Sequence, residues 1–340
     1  MQTTSKIGGR VAFYDNIKFV MITLMVIGHF IDVHTGEDDI SQSIYIFIYA
    51  FHMPMLLFIS GLFYSDRNNT AKIVFYLSCG FALKIARFAV YMFCGEETQF
   101  QLLEDDSAPW FMFTLAAFQF LMHILRKIDA RYLFGAFILL ACFAGYDVTI
   151  GDYLYLSRTI IFFPFYLLGT ILAADKVVEF FQKHFARLSI LGAAIIGGWF
   201  YLCFWHKDLC YVLRPLFTGR NPFEHEVHLV GASSRALCYA ITFLLIFGIM
   251  IWMPKKQIPF FSKLGQRTLN VYFWHWLIFL LLDRFFDISG LFANGREGKI
   301  VYVLIAIGLS ILLAAFKVFD YPLDYIKALC YKMVSKNMES

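Results

Sequence analysis

The sequence predicts an all-α polytopic membrane protein of about ten transmembrane helices with both termini cytoplasmic. Three observations carry this. Of 340 residues, 60% are hydrophobic and only 16% charged, and mean hydropathy is +0.65, far from a soluble two-domain composition. Apolar stretches approaching the roughly 20 residues that a spanning helix needs recur ten times. The cations between those stretches fall mainly on alternate connections.

The spans are expected at 15–34, 43–65, 71–93, 108–125, 132–146, 158–174, 188–206, 233–253, 268–285 and 299–317, forming one integral membrane domain over 1–340. The first run follows Lys6 and Arg10 as a signal peptide's would. It lacks an A-x-A-like cleavage site and carries charge on one face, so it is expected to be retained. The fifth, Tyr132 to Tyr146, is the shortest, and without it every later connection would change sides. Charge supports keeping it. With the amino terminus inside, sixteen loop or tail cations, from Lys6 and Arg10 to Lys332 and Lys336, lie inside, against Lys207, Arg214, Arg220 and Arg296 outside. The acidic clusters Glu37 to Asp39, Glu96 to Glu97 and Glu104 to Asp106 also fall outside. The longest connection, Lys207 to Ala232, is of a length that is usually functional or disordered. A multi-pass protein in contact with a lipid bilayer follows, and topology accounts for the net charge of +4 without a nucleic-acid partner.

Several chemistries lack their signatures. Seven scattered cysteines with no CxxC suggest neither a disulfide framework nor a zinc site. GxGxxG, Walker, GxSxG and HExxH motifs are absent. The segment His225 to His228 and the group Asp32, His34 and Glu37 are weak metal patterns, and no metal is expected.

Attention falls on charge inside apolar segments, which is costly and marks function by default. In the first span Asp15, Lys18 and His29 share one helical stripe, since fourteen steps bring Asp15 within about 40° of His29 and eleven bring Lys18 within about 20°. In the third, Lys84 and Arg87 share a face. Exposed to lipid at the bilayer centre the pair would cost about 5 to 7 kcal/mol, so a compensating anion is implied. It is either an intramembrane acid or a ligand's phosphate or carboxylate.

In the second span Pro54 predicts a kink close to His52. His52 lies about 13 Å below the outer end of its span and His29 only a few residues below that of its own. Either the two share one outward-half cavity, or His52 donates to a backbone carbonyl and supports the kink. Arg158 opens the sixth span, ahead of Pro164, as a snorkelling cation or a ligand clamp. His275, flanked by Trp274 and Trp276, is a core histidine or a site residue, and Trp110 is an interfacial anchor or a substrate platform.

Together these segments resemble the membrane-bound acyltransferase-3 superfamily, and within it the fucose 4-O-acetylase-like branch. YDNIKFVMITLMVIGHF is similar to its first-helix signature through Asp15, Lys18 and His29. FHMPMLLFISG is similar to its second through His52, Pro54, Ser60 and Gly61, and Lys84-x-x-Arg87 resembles an Arg-x-x-Arg pair. SRTIIFFPFYLLG and NVYFWHWLI are similar to later landmarks. Lysine stands for arginine at 84 and, relative to many members, at 18, which removes a planar bidentate grip there. A single integral membrane domain with no second catalytic domain is expected, unlike the racemase-fused and hydrolase-fused relatives.

The resemblance implies transfer of an acyl group, most often acetyl from acetyl-CoA, to a hydroxyl of a sugar or cell-surface glycan, by a protein of the bacterial plasma membrane. His29 is then the general base or an acyl-relay nucleophile. Asp15 joins it as a catalytic candidate, although about 21 Å along the helix excludes a rigid triad. Lys18, Lys84 and Arg87 are expected on the acyl-CoA, and His52, Arg158, Trp110 and His275 on the acceptor. For Lys84 and Arg87, which lie high for the nucleotide, holding the pantetheine end, balancing an oxyanion and gripping an anionic acceptor all stay open. The rival class is a transporter or flippase for a glycan precursor, which ten spans and buried charge also fit. A catalytically dead structural relative is a third, weakened by the presence of His29, His52 and Arg87.

Overall fold

The computed structural model describes residues 6–7, 10–104, 108–224 and 228–339. A two-residue antiparallel pairing, Lys6–Ile7 with Arg10–Val11, precedes the helices. Then come α1 (Ala12–Asp32), α2 (Asp39–Tyr49), α3 (His52–Leu62), α4 (Asn69–Cys94), α5 (Trp110–Ile124) and α6 (Ala130–Phe143). They are followed by α7 (Leu156–Ile171), α8 (Ala174–Trp205) and the short α9 (Lys207–Tyr211) and α10 (Arg214–Phe217). α11 (Gly231–Trp252), α12 (Pro259–Leu264), α13 (Thr268–Phe286), α14 (Gly295–Ala315) and α15 (Leu323–Glu339) complete the chain.

Each predicted span falls on helix, with two refinements. Among the described residues, seven helical stretches are long and apolar enough to cross a membrane by themselves. Helices α5 and α6 are shorter, and α13 is diluted by Asn270, His275, Asp283 and Arg284. The second span is two helices: the break lies at Ala50 and Phe51, just ahead of Pro54, whose ring denies the preceding turn its regular bonding. The connection from 207 to 232 contains α9, α10 and a 3-10 turn at His228–Val230. Asp105, Asp106 and the residues 225–227 of the weak metal pattern lie outside the described residues. The result is an all-α polytopic membrane protein.

Two features set the site's frame. Helices α3 and α7 meet backbone to backbone, because a Cβ on Gly61 would lie 2.0 Å from the Tyr166 carbonyl oxygen and one on Gly169 2.2 Å from that of Phe58. Small residues are how membrane helices approach so closely. From this crossing the two helices run together back to their first turns, which carry His52 and Arg158. The second feature is α1, whose Phe13, Ile17, Phe30 and Ile31 are completely buried, so that the helix forms a central pillar. It contacts α2, α3, α12, α13 and α14.

Candidate functional site

A cavity of about 490 Å³ opens at the end of the bundle where α1 gives way to α2. Helix α1 contributes Met25, His29 and Asp32, and the broken α2–α3 pair contributes Tyr45, Tyr49, His52 and Met53. Arg87 and Tyr91 enter from α4, Trp110 from the start of α5, and Arg158 and Phe162 from α7. Tyr272 and Trp276 of α13 close one wall, while Glu97, Thr98, Thr218 and Arg220 come from connections.

Five of the residues singled out from the sequence therefore meet in one place: His29, His52, Arg87, Trp110 and Arg158. His275 stands behind His29, its Nε2 2.9 Å from His29 Nδ1 and its side chain wholly buried. The Trp276 ring lies edge-on to His29, with centroids 6.1 Å apart. His52 Nδ1 donates to the Ile48 carbonyl at 2.9 Å, the last full turn before the break. Both readings of His52 hold together: it supports the kink through one nitrogen and lines the cavity. Tyr49 lies between the two histidines, its ring centroid 6.4 Å from His29 and 4.8 Å from His52.

The cations are held differently. Arg158 is 2% exposed, 3.6 Å from an Asp152 carboxylate oxygen and over the face of Trp110 at 5.4 Å. Trp110 stacks in turn on Phe162. Arg87 is half-buried, with its guanidinium 5.6 Å from the Tyr91 ring centre. Arg214 binds Asp32 at 2.6 Å and covers Tyr45 at 4.5 Å, fixing the rim. Arg235, 1% exposed, donates to the carbonyls of Leu216 and Arg220 and to Asn221, which holds the loop carrying Arg220.

The remaining three candidates do not line this cavity. Lys84, one turn before Arg87, is 3% exposed and donates to the carbonyl oxygens of Gln101, Leu102 and Glu104 at 2.6, 3.2 and 3.0 Å. Three carbonyls match an ammonium's three N–H donors, so Lys84 pins the α4–α5 connection that carries Glu97 and Thr98. Lys18 and Asp15 bind each other at 2.7 Å at the opposite end of α1. Beside them Asn16 donates to the Pro254 and Lys256 carbonyls and accepts from Ser262.

Among the described residues no group of three His, Cys, Asp or Glu is placed to hold a metal. His34 instead stacks flat on Phe292 at 4.1 Å, and Asp32 is paired with Arg214.

Tyr45, Tyr49, Tyr91 and Tyr272, which the sequence did not single out, also line the cavity, as do Arg220, noted only as an outer cation, and Trp276, noted only as a neighbour of His275. A signal existed for two of them: Tyr45 and Tyr49 are four apart, with His52 three further on, one face continued across the break. Arg220 lies in the connection whose length alone marked it.

Chemically, the arrangement sets two imidazoles and three arginines around a chamber large enough for a small polar acceptor and the reactive end of a donor. A family model described as an acyltransferase domain, that of the acyltransferase-3 family, matches residues 11–318. No curated protein and no solved structure matches the chain. The family match takes in every helix from α1 to α14, and the chain belongs to the acyltransferase-3 family of membrane acyltransferases.

Proposed function

We propose that this acyltransferase moves an acetyl group from acetyl-CoA to a hydroxyl of a sugar or cell-surface glycan, with His29 as the general base. The observation that carries this is the His29 ring itself. It faces the cavity, half-buried, with Nδ1 engaged by His275, so the free edge is Nε2. A hydroxyl is a weak nucleophile at neutral pH. As its oxygen attacks the thioester carbonyl carbon, its proton passes to His29 Nε2, the carbon–sulfur bond breaks, and the proton leaves with the CoA thiolate. Base catalysis of this kind contributes about 10²- to 10⁴-fold.

His52 supports a hydroxyl-rich acceptor. Its Nδ1–H is spent on Ile48, so its Nε2 is an acceptor, and the chamber offers a second lone pair beside that of His29. A sugar with neighbouring hydroxyls satisfies both. Arg87 and Arg158 are the groups that balance the oxyanion or hold donor phosphate. Trp110 gives Arg158 a fixed face to rest on. The fucose 4-O-acetylase-like branch, a cavity open to the outer side of a bacterial plasma membrane, and ten spans with cytoplasmic termini belong to the same proposal.

The test is acetyl transfer by purified protein in detergent, using radiolabelled acetyl-CoA and a panel of sugars. The protein is expected to release CoA and label a sugar, and His29→Ala to do neither while unfolding at the wild-type temperature. Retained turnover in His29→Ala removes the base assignment. A protein that neither hydrolyses nor transfers acetyl from any acyl-CoA supplied fits a transporter instead. Arg87→Ala is expected to raise the KM for acetyl-CoA if the guanidinium holds donor phosphate; an unchanged KM with a lower kcat assigns it to the oxyanion.

A further inference from the structure

His275 contributes no lining to the cavity, yet it is wholly buried against the one residue on which the proposed chemistry turns. Its Nδ1 lies 2.9 Å from the Val271 carbonyl oxygen and 2.8 Å from that of Tyr272. Both belong to the preceding turn of the same helix, so this contact does not depend on what occupies the cavity. A carbonyl oxygen only accepts, so Nδ1 of His275 carries the proton. Between His275 Nε2 and His29 Nδ1, 2.9 Å apart, a single proton must then be shared. If His275 supplied it, the ring would be an imidazolium at a site with no solvent exposure, facing another histidine and the Tyr272 ring; burying such a charge without a counter-ion is expensive. If His29 supplies it, both rings are neutral and every hydrogen bond is satisfied.

We infer that His275 is a positioning residue that fixes His29 as its Nδ1–H tautomer and so turns the Nε2 lone pair toward the acceptor hydroxyl. The tautomer of a histidine is set by the bond its other nitrogen makes, and partners that orient metal-bound histidines in the same way change activity about 10- to 100-fold. After His29 takes the substrate proton, its Nδ1–H still donates to His275 Nε2, so the ring does not turn between the two halves of the reaction. His52 uses the same device, donating from Nδ1 to Ile48 four residues earlier on its own chain. The inference rests on reading His29 as the base, but it is measured separately.

The experiment is solid-state nuclear magnetic resonance of ¹⁵N-histidine-labelled protein in lipid at pH 8, with the His29 signals assigned by their loss in His29→Ala. The wild type is expected to show His29 protonated at Nδ1 and bare at Nε2. A wild-type His29 protonated at Nε2 overturns the inference without requiring any variant to fold. In parallel, His275→Leu is expected to lose 10- to 100-fold in kcat with KM for acetyl-CoA within twofold, and its His29 to take up the Nε2–H form. His275→Gln keeps an acceptor oxygen near the place of Nε2 and is expected to recover most of the rate and the Nδ1–H form. Equal losses in the two variants with an unchanged His29 tautomer overturn the positioning role. The correct tautomer together with full turnover by His29→Ala would instead sink the base assignment and leave the tautomer lock standing.

Discussion

The two ends of α1 look alike in sequence and differ in what surrounds them. At one end Asp15 and Lys18 neutralise each other, and the chain after α11 is packed directly onto them. A Cβ on Gly265 would sit 1.9 Å from the Asp15 carbonyl oxygen, and Asn16 ties down Pro254, Lys256 and Ser262. At the other end His29 faces a chamber of about 490 Å³ rimmed by arginine and aromatic side chains. Helix α4 repeats the contrast over a single turn, with Lys84 clasping backbone carbonyls and Arg87 turned to the cavity. Ionisable residues in these helices thus separate into those packed into the fold away from the cavity and those that line it.

Substitutions can break or sharpen that contrast. The largest effect is expected at the open end, where His29→Ala should lower acetyl transfer by about 10²- to 10⁴-fold with little change in unfolding temperature. Next is Lys84→Met, which takes the buried ammonium away from the three carbonyls it holds. A hydrogen bond to a charged group is worth about 1.5 to 3 kcal/mol, so thermal unfolding should show a loss of at least that order. Limited proteolysis should then cut the 95–104 connection before any helix. Gly265→Ala at the closed end should cost about 1 to 3 kcal/mol from overpacking, read by thermal unfolding, while the molecules that remain folded keep their KM for acetyl-CoA.

Smaller still is the Asp15–Lys18 pair. Lys18 is 27% exposed, and a double-mutant cycle with Asp15→Asn and Lys18→Met should give a coupling of no more than about 1 kcal/mol. A larger coupling would mean that this end is as dry as the cavity wall.

A comparably small effect, confined to a pH window, is predicted at Asp38, the N-cap of α2 outside the membrane-spanning segments, whose carboxylate accepts from the Ser41 backbone and binds Lys299. Partial burial pushes its carboxyl up, but the bonds to Lys299 and Ser41 outweigh this and hold it below the usual 3.8. Asp38→Ala should cost about 1 kcal/mol at neutral pH. Because the folded-state value is the depressed one, that contribution is present above about pH 3.8 and lost as pH falls through the lower folded value. Wild type and variant should therefore converge in unfolding temperature as the pH is taken below that point.

Much of the fold was legible because apolar length and cation asymmetry are properties of the chain itself. The ten segments fall on helix, and Pro54 announced the break that puts His52 at the head of α3. Within the site, His29 and Arg87 were legible because charge in an apolar run stands out. Their partners were not. Tyr49, Tyr272 and Trp276 belong to ordinary aromatic stretches, and only the packing of α2 and α13 around α1 turns them inward. Lys84 and Arg87 cannot be told apart by spacing either, since what separates them is that the following connection gives its carbonyls to Lys84 while Arg87 reaches the cavity.

The role of His29 is tested most directly by a cryo-electron microscopy structure with a non-hydrolysable acetyl-CoA analogue bound. The carbonyl carbon is expected in the chamber beside Arg87, leaving a gap for an acceptor hydroxyl whose oxygen lies within hydrogen-bond reach, about 2.6 to 3.2 Å, of His29 Nε2. An analogue seated at the Asp15–Lys18 end, with its carbonyl far from His29, would contradict that role.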